Sequence, residues 1–243
     1  GLVEAIPQKN TPDSRPGQAV LLFSYSREKL EEALMHRIGQ AIFPAATSAC
    51  FNGLVSDVTV PVGARLRYFG DGFQSSKQVG GRRYWRIPVA DGEFVVEESF
   101  GIGEGVGGGN LLILGSSRGS ALVAAQAAAH AVRNSPGVIA PFPGGICRSP
   151  SKPRSRYHNL RASTNDLFCP TLRSQVESQM SQESHCAYEL VIDGVDLVSV
   201  EAAMAAALRA ACLPGVVRIT AGNYGGKLGP YHLHLHKILA EYP

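Results

Sequence analysis

The chain has no apolar run long enough to cross a membrane, which excludes a helical membrane protein. No signal peptide is visible either. It also has no Cys-x-x-Cys pair. Its five cysteines are an odd number and are widely scattered, which argues against a disulfide framework and for reduced thiols in the cytoplasm. Charge is sparse. Charged residues make up 18% of the chain and the net charge is only +3. That is too little to argue for a nucleic-acid partner, although it suits a ligand bearing a few acidic groups. An initiator Met is missing, since the chain begins at Gly1.

What is present is a repeat. Residues 110–145 and 188–226 each carry an apolar run of strand length, a polar break and an alanine-rich helical run. Each then carries Pro-Gly-Val, a second apolar run and a glycine pair. Strand–helix–strand, written twice, predicts a βαββαβ ferredoxin-like sandwich. In the first helical run Leu122, Ala125, Ala129 and Val132 fall on one face; in the second, Val200, Met204, Leu208 and Ala211 do. Ser117 and Ser199 stand where N-caps are expected, and Pro136-Gly137 and Pro214-Gly215 where the helices stop. The alanines would let each helix lie close to the sheet. A weaker third copy has an apolar run at 19–23, an amphipathic helix at 27–38 and a short apolar run at 41–43. In that helix Leu30, Leu34 and Ile38 face inward, and Glu28, Glu31 and Arg37 outward. Three units imply a fourth upstream. The expected architecture is therefore α+β: two ferredoxin-like lobes, residues 1–100 and 101–243, the N-terminal one lacking its first βαβ unit.

Several local signals bear on chemistry. Asp91-Gly92 lies between two strand-like runs and predicts a hairpin. Gly103, Gly105 and Gly108 spell G-x-G-x-x-G, but they lead into a strand rather than from a strand into a helix. A flexible lobe boundary fits them better than a dinucleotide site. His232, His234 and His236 alternate, so on a strand they would share a face. Leu233 and Leu235 alternate opposite them, as in any half-buried strand, and no metal site is expected. Cys169 reads as a small buried hydrophobe before it reads as a nucleophile. Residues 146–185 form a long Arg-, Ser- and Pro-rich connection, of a length that is usually functional or disordered. Within it Arg148, Lys152, Arg154, Arg156 and Arg161 are either a solvated loop or a cradle for phosphate or carboxylate. Glu189 is the most informative residue. It opens an apolar strand, 189–192, where the earlier copy has Leu111. Facing a cleft, such an acid would have a raised pKa suited to proton transfer.

Eight strings carry a resemblance over essentially the whole chain: TPDSRPG (11–17), YFGDGFQSSK (68–77), RYWRIPVADGEF (83–94), VGGGN (106–110), PFPGGICRSPSK (141–152), RASTNDLFCPTL (161–172), YELVIDG (188–194) and AGNYGGKLGP (221–230). In matching order they resemble the formylmethanofuran–tetrahydromethanopterin formyltransferase family. The basic, alanine-rich character looks more like its methylotrophic-bacterial branch than its archaeal one. The resemblance implies two ferredoxin-like lobes, a homo-oligomer (dimer or tetramer) and no permanently bound metal, flavin or nucleotide. It implies formyl transfer between the amine of methanofuran and N5 of tetrahydromethanopterin. In bacteria it implies formylmethanofuran hydrolase subunits as partners. No nucleic acid or membrane is implied.

Glu189 matches the family's catalytic acid/base. Such an acid is needed because a basic amine cannot leave as an anion. Gly108 and Asn110, and Asn223, lie in glycine-rich runs whose backbone N–H groups would steady an oxyanion. Arg148, Ser149, Ser151, Lys152 and Lys227 would hold acidic coenzyme tails. Asp71, Gln74 and Asn165 match family positions without an assigned role. Pro150 departs from the family string R-S-G-S-K; it fixes φ and removes a donor within this loop. The alternatives are a non-catalytic subunit of a hydrolase complex and an RNA-binding module. The latter would need aromatics on the central strands, and residues 111–114 and 190–192 have none.

Overall fold

A computed structural model describes residues 2–226 and 229–242, and the chain divides into two compact units. One spans residues 5–104; the other spans 105–243 together with the first four residues.

In the first unit three strands form an antiparallel meander, Ser75–Val79, Arg82–Val89 and Gly92–Glu97. A fourth, Ala49–Cys50, pairs parallel to the last of them. The predicted hairpin forms, with Val89 opposite Gly92. A second, unpredicted hairpin turns at Gly80 and Gly81, whose φ of 57° and 79° suit a two-residue turn twisted like its strands. Ile87, Phe94 and Val96 pack with Val60, Val62 and Ile38 into the core of this unit. Ser26 caps the helix Arg27–Arg37 by accepting the Lys29 N–H at 3.3 Å.

The third copy is only partly realised. Its first strand ends at Val20, and the run expected as a strand at 41–43 instead closes a π-helical turn, Ile38–Ile42. Three apolar residues have no period that separates strand from helix. Glu31, expected to point outward, is half-buried and ion-pairs with Arg27 at 3.0 Å.

The second unit has the ferredoxin-like order. Val138–Ile139, Cys186–Gly194, Val106–Gly115 and Val216–Thr220 lie side by side, every neighbouring pair antiparallel. Numbering only these four strands in chain order, the sheet order is 2-3-1-4. Helices Arg118–Arg133 and Leu197–Ala211 pack with Leu111, Ile113, Leu190 and Ile192, filling the gap with Ala124, Ala125, Ala128, Ala203 and Ala207. Close approach explains the small residues: a Cβ on Gly194 would stand 2.6 Å from Val200.

Two helix details differ from expectation. Ser117 does cap its helix, but the second helix is capped by Asp196, which accepts the Ser199 N–H at 2.7 Å. A carboxylate at the N-cap serves the exposed amides as well as a hydroxyl and adds charge to the positive helix end. Leu122 is 37% exposed; Ala121, Ala124 and Ala128 take the inward positions beside Ala125 and Ala129. The run 106–109, expected as a loop boundary, is already strand. His232 and His234 precede a helix, Leu235–Glu241, that includes His236, so the three imidazoles do not share a strand face. Among the described residues no helix is long and apolar enough to cross a membrane.

The opposite face of this sheet has its own cover. Strand alternation turns Leu112, Leu114 and Ala187 away from the helices. Leu167, Phe168 and Met180 from the long connection pack on them. The 146–185 segment is thus a folded layer, with a hairpin of Ser151–Pro153 and Ala162–Thr164.

Candidate active site

Glu189 lies on that second face. It is the fourth residue of Cys186–Gly194, not its first, and it pairs across with Leu112. On its other side it makes an antiparallel bridge with Cys147: the Cys147 N–H donates to the Glu189 carbonyl at 2.7 Å, and the Glu189 N–H donates back at 3.0 Å. The strand therefore has backbone on both sides, and the residue is only 5% exposed. Burial pushes its pKa up to about 7, opposed by the nearby Ser151 N–H. A carboxyl group poised there can hold a proton near neutrality and release it.

The chain after Cys147 wraps this acid. Arg148 and Ser149 are exposed beside it, Pro150 is buried, and Ser151 brings its N–H near the carboxylate. Lys152 pairs with Asp166, Nζ to Oδ1 at 2.5 Å, which holds that carboxyl below the usual range. Its charge is therefore already engaged within the hairpin. Asn165, only 1% exposed, donates its backbone N–H to the Pro150 carbonyl at 2.8 Å. Its Nδ2 donates to Tyr224 Oη at 3.2 Å, while its Oδ1 is buried without a hydrogen-bond partner. Tyr224 Oη in turn donates to the Ser151 carbonyl at 2.7 Å. Burial, and then the Glu189 charge, raise the Tyr224 pKa.

Asn110 reaches the same group from the central strand, its Oδ1 accepting the Gly222 N–H at 2.7 Å. Asn223 is exposed next to Tyr224, and its carbonyl accepts the Gly226 N–H at 2.9 Å. Gly108 lies further along its strand, with its N–H donating to Asp193 Oδ1 at 2.9 Å. The amides of Gly108, Gly222 and Gly226 thus already have acceptors, contrary to the expectation of free donors. The side chains of Asp193 and Asn110 take the first two, and a backbone turn takes the third.

Asp71 and Gln74 belong to the other unit. There Asp71 takes a left-handed φ of 48°, and Gln74 Oε1 accepts the Gly72 N–H at 2.9 Å. Lys227 lies outside the described residues. Cys169 is half-buried and donates from Sγ to the Asn165 carbonyl at 3.3 Å, so it braces the loop. Burial, and then Glu97, push the Cys50 thiol up to about 12. The residue that sequence reasoning missed is Tyr224. Its signal was a single aromatic inside the glycine-rich AGNYGG string, set against buried Asn165 and Glu189.

Comparison with known proteins agrees with this fold. The profile described as formylmethanofuran-tetrahydromethanopterin formyltransferase matches residues 1–89, and that described as its proximal lobe matches residues 92–238. The formylmethanofuran–tetrahydromethanopterin formyltransferase of Methylococcus capsulatus is 50% identical over 99% of this chain and 82% of its own length. That of Methanothermus fervidus is 47% identical over 98% and 82%. Among solved structures, the formyltransferase/hydrolase complex from Methylorubrum extorquens with methylofuran superposes with a TM-score of 0.94 at 43% identity, covering 98% of this chain and 81% of that one. The enzyme from Methanosarcina barkeri gives 0.92 at 42% identity, covering 98% and 82%. With both profiles in order along the chain and the same fold at this identity, the chain belongs to the formylmethanofuran–tetrahydromethanopterin formyltransferase family.

Proposed function

We propose that this chain moves a formyl group between formylmethanofuran and N5 of tetrahydromethanopterin, with Glu189 as the proton donor and acceptor. The carrying observation is one acid, 5% exposed, on a sheet face beside Leu112 and Ala187, where burial raises its pKa to about 7. A formamide is unreactive, and attack by the pterin nitrogen gives a tetrahedral intermediate. The methanofuran nitrogen leaves only if protonated. Protonated Glu189 supplies that proton, and its carboxylate then takes up the proton that N5 loses on acylation, which restores the acid; the reverse transfer runs the same exchange backward. The pterin nitrogen is aniline-like and neutral, so it needs less help. Both substrates are the coenzymes themselves, and no permanently bound cofactor enters the scheme. Arg148, Ser149 and Ser151 stand beside Glu189 at a place suited to anionic tails, with Lys227 as a further candidate. Asp71 and Gln74, in the first unit, are candidates for coenzyme contact in their own right. We place the protein in the cytoplasm, as a homo-oligomer (dimer or tetramer) with formylmethanofuran hydrolase subunits as candidate partners.

The test is a spectrophotometric transfer assay with the two coenzymes supplied together and separately, on wild type and Glu189→Gln. Transfer that needs both coenzymes and collapses in the variant supports the reading. An unchanged rate in Glu189→Gln would instead favour a structural subunit.

A further inference from the structure

We propose that Tyr224 is a positioning residue for Glu189, acting through the peptide unit between Pro150 and Ser151. The proposal deepens the function above, and its kinetic arm rests on Glu189 being the acid. That peptide is held at both ends. Its carbonyl, on Pro150, accepts the Asn165 N–H at 2.8 Å, and its N–H, on Ser151, is the backbone group whose nearness lowers the Glu189 pKa. The next carbonyl, on Ser151, accepts Tyr224 Oη at 2.7 Å. Residue 151 is thus fixed on both sides of its Cα, and the direction of the N–H that meets the acid is set.

Tyr224 is itself locked. Its hydroxyl has one proton, spent on Ser151, so it can only accept from Asn165. This fixes the orientation of that buried amide with Nδ2 toward the ring oxygen. Its ring lies on the backbone of Gly222, where an added Cβ would stand 2.7 Å from ring carbons. Gly222 is tied in turn to Asn110. Tyr224 also takes a left-handed φ of 49°, a strained conformation that surrounding contacts must hold. The run Asn110–Gly222–Tyr224–Ser151–Glu189 therefore ties the central strand to the acid through a turn no sheet bond requires.

A donor on a carboxylate favours its charged form, so loosening the Ser151 N–H makes Glu189 hold its proton to higher pH. Apart from Tyr224, the other ionisable groups on this face or on its cover are Cys147 on the bridging segment, Arg148 next to it, the Lys152–Asp166 pair, Arg218 on the outer strand and Asp193 on its own strand. All are unchanged by the substitutions below.

Tyr224→Phe removes one oxygen. Its kcat should fall about tenfold with KM within about threefold, and the limb on which transfer declines with rising pH should move up by about half a unit. Independently of activity, the Glu189 carboxyl can be titrated by infrared difference spectroscopy without coenzymes, its band assigned by loss in Glu189→Gln. That midpoint should rise in Tyr224→Phe and, by less, in Asn165→Ala, the second variant should the first fail to fold. An unchanged midpoint in a folded variant overturns the proposal. A rise in KM alone also overturns it, because Tyr224 would then be a substrate contact. If Glu189→Gln retains transfer, the catalytic role fails, yet the infrared titration still decides the brace.

Discussion

The two faces of the C-terminal sheet are built on different terms. The helix face repeats: leucine, isoleucine and valine from the strands meet alanines from two helices, and each half of the duplication contributes alike. The other face does not repeat. Leu112 on one central strand stands opposite Glu189 on the other, and an irregular segment of 3₁₀ turns and a short hairpin covers it. Duplication made a stable half that tolerates little polarity. The asymmetric cover made a place where one acid is desolvated but still reached by a backbone donor. Both sides of the strands stabilise the unit, but the chemistry is confined to one of them.

That division can be broken deliberately. Replacing Glu189 by Gln should lower kcat by about 10²- to 10⁴-fold, the range of general acid–base catalysis, with the fold intact by circular dichroism. A smaller loss would erase the contrast between the faces. Phe168→Ala, in the cover, should cost about 3–5 kcal/mol by urea unfolding and also shift the pH limb of transfer. Leu190→Ala, on the helix face, should cost about 2–5 kcal/mol and leave that limb where it is. If both shift it, the faces are not separate.

The pH dependence of stability sharpens the point further. The Glu189 pKa is raised on folding, to about 7 from an ordinary value of 4.5, so the penalty for its ionisation is absent at low pH. The cost appears as pH rises from the unfolded value through the folded one. Glu189→Gln removes it, and should be more stable relative to wild type at pH 8 than at pH 4 by on the order of 1–3 kcal/mol. The smallest effect should be at Asp196. Asp196→Ala removes an N-cap on the helix face, costing about 1 kcal/mol with no change in transfer.

Periodicity and repetition carried the sandwich. The two helices, the strands they connect and the Asp91-Gly92 hairpin were all legible, because each depends on spacing along the chain. Periodicity failed where the run was short, as at 41–43, and where neighbouring residues competed for one job, as Asp196 and Ser199 do. For the site, the unusual charge marked Glu189, and family strings marked Asn110, Asn165 and Ser151. Tyr224 was invisible, since nothing local says that a tyrosine in a glycine turn will meet a carbonyl 73 residues earlier.

The amino-acid order alone determined that an acid sits within a greasy strand and that two like modules pair, because alternation and 3.6-residue spacing are properties of a chain read locally. Only the folded molecule decided which face the acid occupies, what shields it from water and which amide lies beside it. Those depend on segments far apart in sequence closing on one spot, and proton affinity is set by that enclosure.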